Sequence, residues 1–266
     1  MPTIRNPSGP VFLLALLCLL GAGLSAQAQE ARSLDELFSE IEREQADIDK
    51  LEQRLAKASG ITRLALDSRR LRERLELAEM QLEYLGQAAA DKEAGNASEE
   101  ILQQATGVFE AQGKGIDATI EILRKHVVLP EEKLPPAEEA ATYNRMFQRI
   151  DQINRAYEIS VNRLDFADQL GLETTALRDK LKSSLIDRAE TGSILLELAM
   201  SDVAALRASV KAVPDDAETK ARLNVATSHV SSMAAQIARI LEMLKSLDVD
   251  TNEYQNQLLL VTGQIT

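Results

Sequence analysis

From Leu34 onward, apolar residues return every three or four positions, and only short turn signals interrupt them. That spacing gathers them on one stripe of an α-helix, and a helix buries a stripe by laying it against another helix. Strand alternation is nearly absent, and Val127-Val128-Leu129 is too short to count. The expected fold is all-α: long amphipathic helices in antiparallel hairpins or an extended bundle, with coiled-coil character.

Ser33 followed by Glu36 makes a capping box, and Leu34, Leu37, Ile41, Ile48, Leu51 and Leu55 form the first stripe. Glu44 takes the one seam position that breaks it. A second stripe, Leu64, Leu71, Leu75, Ala78, Leu82 and Leu85, is out of register with the first. At Ser59-Gly60 the helix therefore either bends or turns back as a hairpin. The intervening faces carry Arg69, Arg70, Arg72 and Arg74 with Glu73, Glu76, Glu79 and Glu83, spaced to pair at i,i+3 and i,i+4 on a solvated helix face. Residues 88–98 read as a turn, with Gly95-Asn96 as breaker and Ser98 as the next cap.

The helix from Glu99 to about His126 contains Gly107, Gly113 and Gly115, which mark a kink or a close helix approach. Pro130, Pro135 and Pro136 are the clearest break. They divide the chain into a helical hairpin region (29–129), a Pro-rich linker (130–137) and a helical bundle region (138–266). In the last region Met146, Ile150, Ile153, Tyr157, Val161, Leu164, Ala167 and Leu170 share one face, and Gly171 ends that helix. The next runs from Thr174 or Thr175 to about Ala212, with a bend expected at Thr191-Gly192-Ser193. Pro214-Asp215-Asp216 turns the chain into a helix from Ala217 to Leu247. A last segment spans Tyr254 to Ile265.

The first residues bear on compartment. Arg5 is the only charge before Glu30; an apolar run from Val11 to Leu20 follows, then Ala26-Gln27-Ala28. This is the pattern of a secretory signal peptide (1–28) cleaved after Ala28, leaving Gln29 first. Cys18, the only cysteine, lies within it behind Leu17, which does not suit lipidation. The mature chain would then have no disulfide, thiolate metal site or cysteine nucleophile. Export without disulfides fits a bacterial periplasm.

The net charge of −12 opposes nucleic-acid binding, which relies on Lys and Arg. Aromatics are 3% of the chain, too few for a typical substrate pocket. His126 and His229 stand in no metal spacing and read as surface or helix-end residues. The pairs Glu99-Glu100, Glu131-Glu132, Glu138-Glu139 and Asp215-Asp216 fall at helix starts or in the Pro-rich turn, where the helix dipole favours acids. Gly113-Lys114-Gly115 lacks the rest of a phosphate loop, and Asp248-Val249-Asp250-Thr251-Asn252 lacks the glycine and glutamate of a calcium loop. The expectation is a non-enzyme without cofactor, metal or small-molecule substrate.

The C-terminal stretch, Asn252-Glu253-Tyr254-Gln255-Asn256-Gln257-Leu258-Leu259-Leu260-Val261-Thr262-Gly263-Gln264-Ile265-Thr266, stops in mid-pattern, as a fragment would. With the leader and the acidic helices, it resembles the periplasmic N-terminal region of larger bacterial channels of the small-conductance mechanosensitive family. The resemblance implies an extracytoplasmic helical module without a pore, partnered by a membrane channel domain or by further copies of itself. A free-standing periplasmic coiled-coil scaffold or adaptor needs the same helices. Export is checked by intact mass of the chain recovered from a bacterial periplasm: a start at Gln29 is expected, and a retained leader overturns the reading.

Overall fold

The structure, a computed structural model, describes residues 32–127 and 134–263. Seven helices and no strand occur among them. They are α1 (Leu34–Lys57), α2 (Gly60–Glu93), α3 (Glu99–Lys125), α4 (Pro136–Leu170), α5 (Thr175–Ala212), α6 (Ala217–Ser246) and α7 (Asn252–Thr262). The all-α expectation holds. The leader with Cys18, Ala26, Ala28 and Gln29, and most of the Pro-rich stretch, lie outside the described residues.

Most helix ends follow local chemistry. The Ser33 hydroxyl accepts the Glu36 amide at 3.2 Å, and the Glu36 carboxylate accepts the Ser33 amide at 3.0 Å. Ser98 caps α3 by accepting the Ile101 amide at 3.2 Å. Asp216 caps α6 by accepting the amides of Glu218 and Thr219 at 3.0 and 3.2 Å. Pro135 and Pro136 open α4, where a proline's missing amide proton is no loss. Gly60, at φ +57°, provides the left-handed backbone that reverses the chain between α1 and α2. Those helices pack side by side, so the register slip marks a hairpin and not a bend.

Two expected breaks are absent. α2 continues through 88–93, and the turn shrinks to 94–98, because Ala88 and Ala89 are buried against α3 and are strong helix formers. α5 runs unbroken through Thr191-Gly192-Ser193. Gly192 is a close-approach site: a β-carbon there would lie 3.0 Å from Ile237 Cγ1. The last helix begins earlier than expected, at Asn252.

α4 is the centre, packed on α2, α3 and α6 and, more lightly, α5. Its expected stripe is buried from Ile153 to Leu170, but Phe147, Asn154, Ala156, Ile159, Ser160 and Arg163 are buried too. The larger apolar cluster joins Leu71 and Leu75 of α2, Leu123 of α3 and Leu164 of α4 to Leu185 of α5 and Leu241 of α6. The core therefore runs across the Pro-rich break in the chain. A smaller cluster joins α1, the second half of α2 and the first half of α3.

The charge run on α2 is a solvated face only in part: Arg69, Arg72, Glu76 and Glu83 are exposed, and the rest is covered to varying degrees. α2 is flanked by α1, α3 and α4, so Glu73 is buried and Arg70 and Arg74 are largely covered. Arg69 bonds Glu73 at 2.5 Å, Arg70 pairs with Asp67, and Arg74 crosses to Glu52 of α1. Leu64 begins the second stripe but is 65% exposed, because it precedes the point where α4 covers α2. At the far end, residues 204–228 include no fully buried residue; there α5 and α6 run on as a two-helix arm, tied to the start of α4 through Arg222 and Glu139.

No helix among the described residues is long and apolar enough to cross a membrane. Leu164→Ala, at 0% exposure, should lower unfolding stability by about 2–5 kcal/mol. Leu64→Ala should change it by no more than about 0.5 kcal/mol in the same urea titration.

Candidate functional site

A wide cleft follows from how α4, α5 and α6 diverge. α5 lies along α6, and α4 also packs on α6, but α4 and α5 touch little. α6 therefore forms the floor of a half-open trough of about 670 Å³. Tyr143, Met146, Phe147 and Ile150 line its α4 wall. Leu195, Leu198, Ala199 and Leu206 line the α5 wall, and Ala226, His229 and Met233 the floor. The trough is mostly apolar and carries two methionines, which adapt to varied partners.

One end is polar, with Glu139, Asp202, Ser209 and Arg222. Arg222 donates to Glu139 at 3.1 Å, to Glu218 at 3.0 Å and to the Leu134 carbonyl at 3.3 Å. Its guanidinium is thus used to tie α6 to the start of α4. The α5 edge of the trough is an exposed apolar ridge: Leu198 is 60% and Leu195 42% exposed, and Ile194, just outside the lining, is 60% exposed.

His229 is neither on the surface nor at a helix end. It is 8% exposed in the middle of α6, with its ring centroid 3.7 Å from that of Tyr143 and 5.9 Å from that of Phe147. Burial pushes its pKa down to about 4, so the imidazole is neutral near pH 7. A sequence signal existed: His229 continues the three- and four-residue steps from Ala226 to Met233.

His126 does sit at a helix end, as the C-cap of α3. It is not alone there, since its Nε2 lies 2.9 Å from Asp67 Oδ2. The acidic pairs stay apart: Glu99 and Glu100 occupy the first turn of α3, and Glu138 and Glu139 that of α4. Glu131 and Glu132 are outside the described residues. Gly113-Lys114-Gly115 is interior helix, and Asp248 to Thr251 joins α6 to α7. Among the described residues, no three or more His, Cys, Asp or Glu gather as metal ligands.

Sequence reasoning missed the polar side chains inside the bundle. Asn154 donates to Gln236 Oε1 at 2.6 Å and accepts from Arg188 at 2.6 Å, linking α4, α5 and α6. Gln112, fully buried, donates to the Ala78 carbonyl at 2.7 Å. Arg239 grips Glu158 through two hydrogen bonds, at 2.6 and 2.8 Å.

The lowered pKa of His229 makes stability pH-dependent. Between about pH 6.5 and 4 the unfolded imidazole binds a proton that the folded one refuses, so its contribution is intact above 6.5 and lost as pH falls toward 4. Urea midpoints should drop through that window, and His229→Leu should flatten the part due to this residue. An unchanged slope in the variant would refute the assignment.

The comparisons leave the trough without a precedent: no family model matches the chain, and no curated protein or solved structure matches it either.

Proposed function

We propose that the chain is a non-catalytic helical assembly module acting outside the cytoplasm, and that the trough between α4 and α5 is where it meets a second copy of itself. The observation that carries this reading is an apolar trough between α4, α5 and α6 whose α5 edge is itself exposed and apolar. Leu195 and Leu198 line the trough from α5 and, with Ile194, form its exposed ridge. Under a two-fold axis, the ridge of one copy can enter the trough of the other, because a two-fold interface is built from one patch used twice. Such contacts would bury Ile194, Leu195 and Leu198, which one chain leaves exposed.

The layout of leader, acidic helices and C-terminal stretch suggests the setting. By its resemblance to the small-conductance mechanosensitive family, the module would stand in the periplasm ahead of a channel domain and assemble with its neighbours there. A free-standing periplasmic scaffold uses the same surface. A reading frame that runs on past Thr266 into apolar spans favours the channel setting.

Self-association is measured by sedimentation velocity across a concentration series of the chain from Gln29. A dimer that dissociates on dilution is expected, and Leu198→Glu should leave a folded monomer. Leu198→Cys should cross-link between copies under oxidation, since no other cysteine remains after Ala28. A wild-type monomer throughout, with no cross-link, would refute the reading.

A further inference from the structure

Ile61 is 86% exposed, more than any other large apolar side chain among the described residues. Leu64, a turn further along α2, is uncovered as well. Both belong to the reversal between α1 and α2, where no residue from 56 to 70 is buried. Their i,i+3 spacing puts them on one side of the helix, so they form a small apolar cap on the tip of the hairpin.

The charge of this tip is opposite to that of the chain. The net charge is −12, yet positions 53–66 hold Arg54, Lys57 and Arg63 and no acid. All three cations are exposed, and none pairs with a carboxylate among the described residues. The flanking acids are engaged elsewhere: Glu52 by Arg74, and Asp67 by Arg70 and by His126 Nε2, the last at 2.9 Å. Behind the cap lies a mostly apolar recess of about 340 Å³, lined by Leu55, Leu64 and Ile122 together with Arg63 and Lys125. Lys125 is matched by Glu121 at 2.9 Å, so the uncompensated charge of the tip is that of Arg54, Lys57 and Arg63.

We propose that the α1–α2 tip docks on an anionic lipid surface. Ile61 and Leu64 enter the boundary between headgroups and acyl chains, and Arg54, Lys57 and Arg63 meet the lipid phosphates around them. Apolar side chains ringed by cations are the combination that binds at such a boundary. A protein partner suits the tip less, because two side chains on a convex turn offer far less than the roughly 800 Å² that each partner of a stable interface buries. A lipid surface closes around a convex tip without a matching shape.

The acidity of the rest of the chain sets the orientation. An anionic surface repels the bundle as a whole, so close approach is tip first. Held that way, α1, with 24 residues, carries its acids away from the surface over a length of about 36 Å. That is several times the screening length of about 8 Å at physiological salt.

The test is co-sedimentation with sucrose-loaded vesicles of the chain from Gln29, which keeps every described residue. Vesicles of equal parts phosphatidylglycerol and phosphatidylcholine should bring the protein down, and phosphatidylcholine alone should not. Lys57→Gln and Arg63→Gln should each weaken partitioning about fivefold. Ile61→Gln and Leu64→Gln together should weaken it by about tenfold or more. These positions are exposed, so the variants should melt as the wild type does. A polarity-sensitive dye on Ile61→Cys should shift to the blue with the mixed vesicles, and the same dye on Glu110→Cys, exposed on α3, should not. Absence of binding, equal binding to both kinds of vesicle, or binding that the tip variants leave unchanged overturns the proposal. Tip variants that lose self-association without lipid, yet bind vesicles as the wild type does, would assign the tip to the acidic surface of a second copy instead.

Discussion

Everything else in the bundle depends on covering α4. A helix packed on one side needs a single apolar stripe. α4 is covered by α2, α3 and α6 along much of its length, and Ala156, Tyr157 and Leu164 fill the space where these helices meet. Polar residues caught on this helix lose water and must find partners inside. Asn154 finds Gln236 and Arg188. Arg163 finds the Phe109 carbonyl and ring. The same demand explains why the apolar core ignores the Pro-rich stretch. The chain breaks its helix there, but α4 begins beyond it and packs back on α2 and α3.

What could be read from the sequence was what a few neighbouring residues decide. The Ser33–Glu36 box, the Ser98 and Asp216 caps and the Gly171 stop all act within one turn, and each stands where it was expected. So do the helices between them, because their stripes are long and regular. What could not be read depends on partners distant in sequence. Ala88 and Ala89 looked like part of a turn because Gly95-Asn96 follows, yet their small side chains let α2 and α3 approach. The α2 charge run looked wholly solvated because such runs usually are, yet packing covers Arg70, Glu73 and Arg74 within it. Leu64 fits a stripe by spacing but lies beyond the helices that would bury it.

The trough follows the same division. No local pattern announces that α4 and α5 separate over α6, so the trough was invisible, although the step from Ala226 through His229 to Met233 placed that histidine on an inner face. The burial of Arg163 was harder still. A lone arginine in a helix carries no sign of burial, and Gly113, read as a kink or a close approach, gave no hint that Arg163 is the side chain that approaches it.

The two-helix arm gives the molecule a gradient of cooperativity. Around Leu164, a segment cannot open without exposing parts of several helices at once. Over residues 204–228, where no residue is fully buried, opening exposes less, chiefly Leu223, Ala226 and the Arg222–Glu139 pair. Backbone amides there should therefore open through smaller excursions than those of central α4. The arm is thus the part of the chain whose order a neighbour can change most cheaply. A contact made there would change the order of the arm before it disturbed the packing around Leu164.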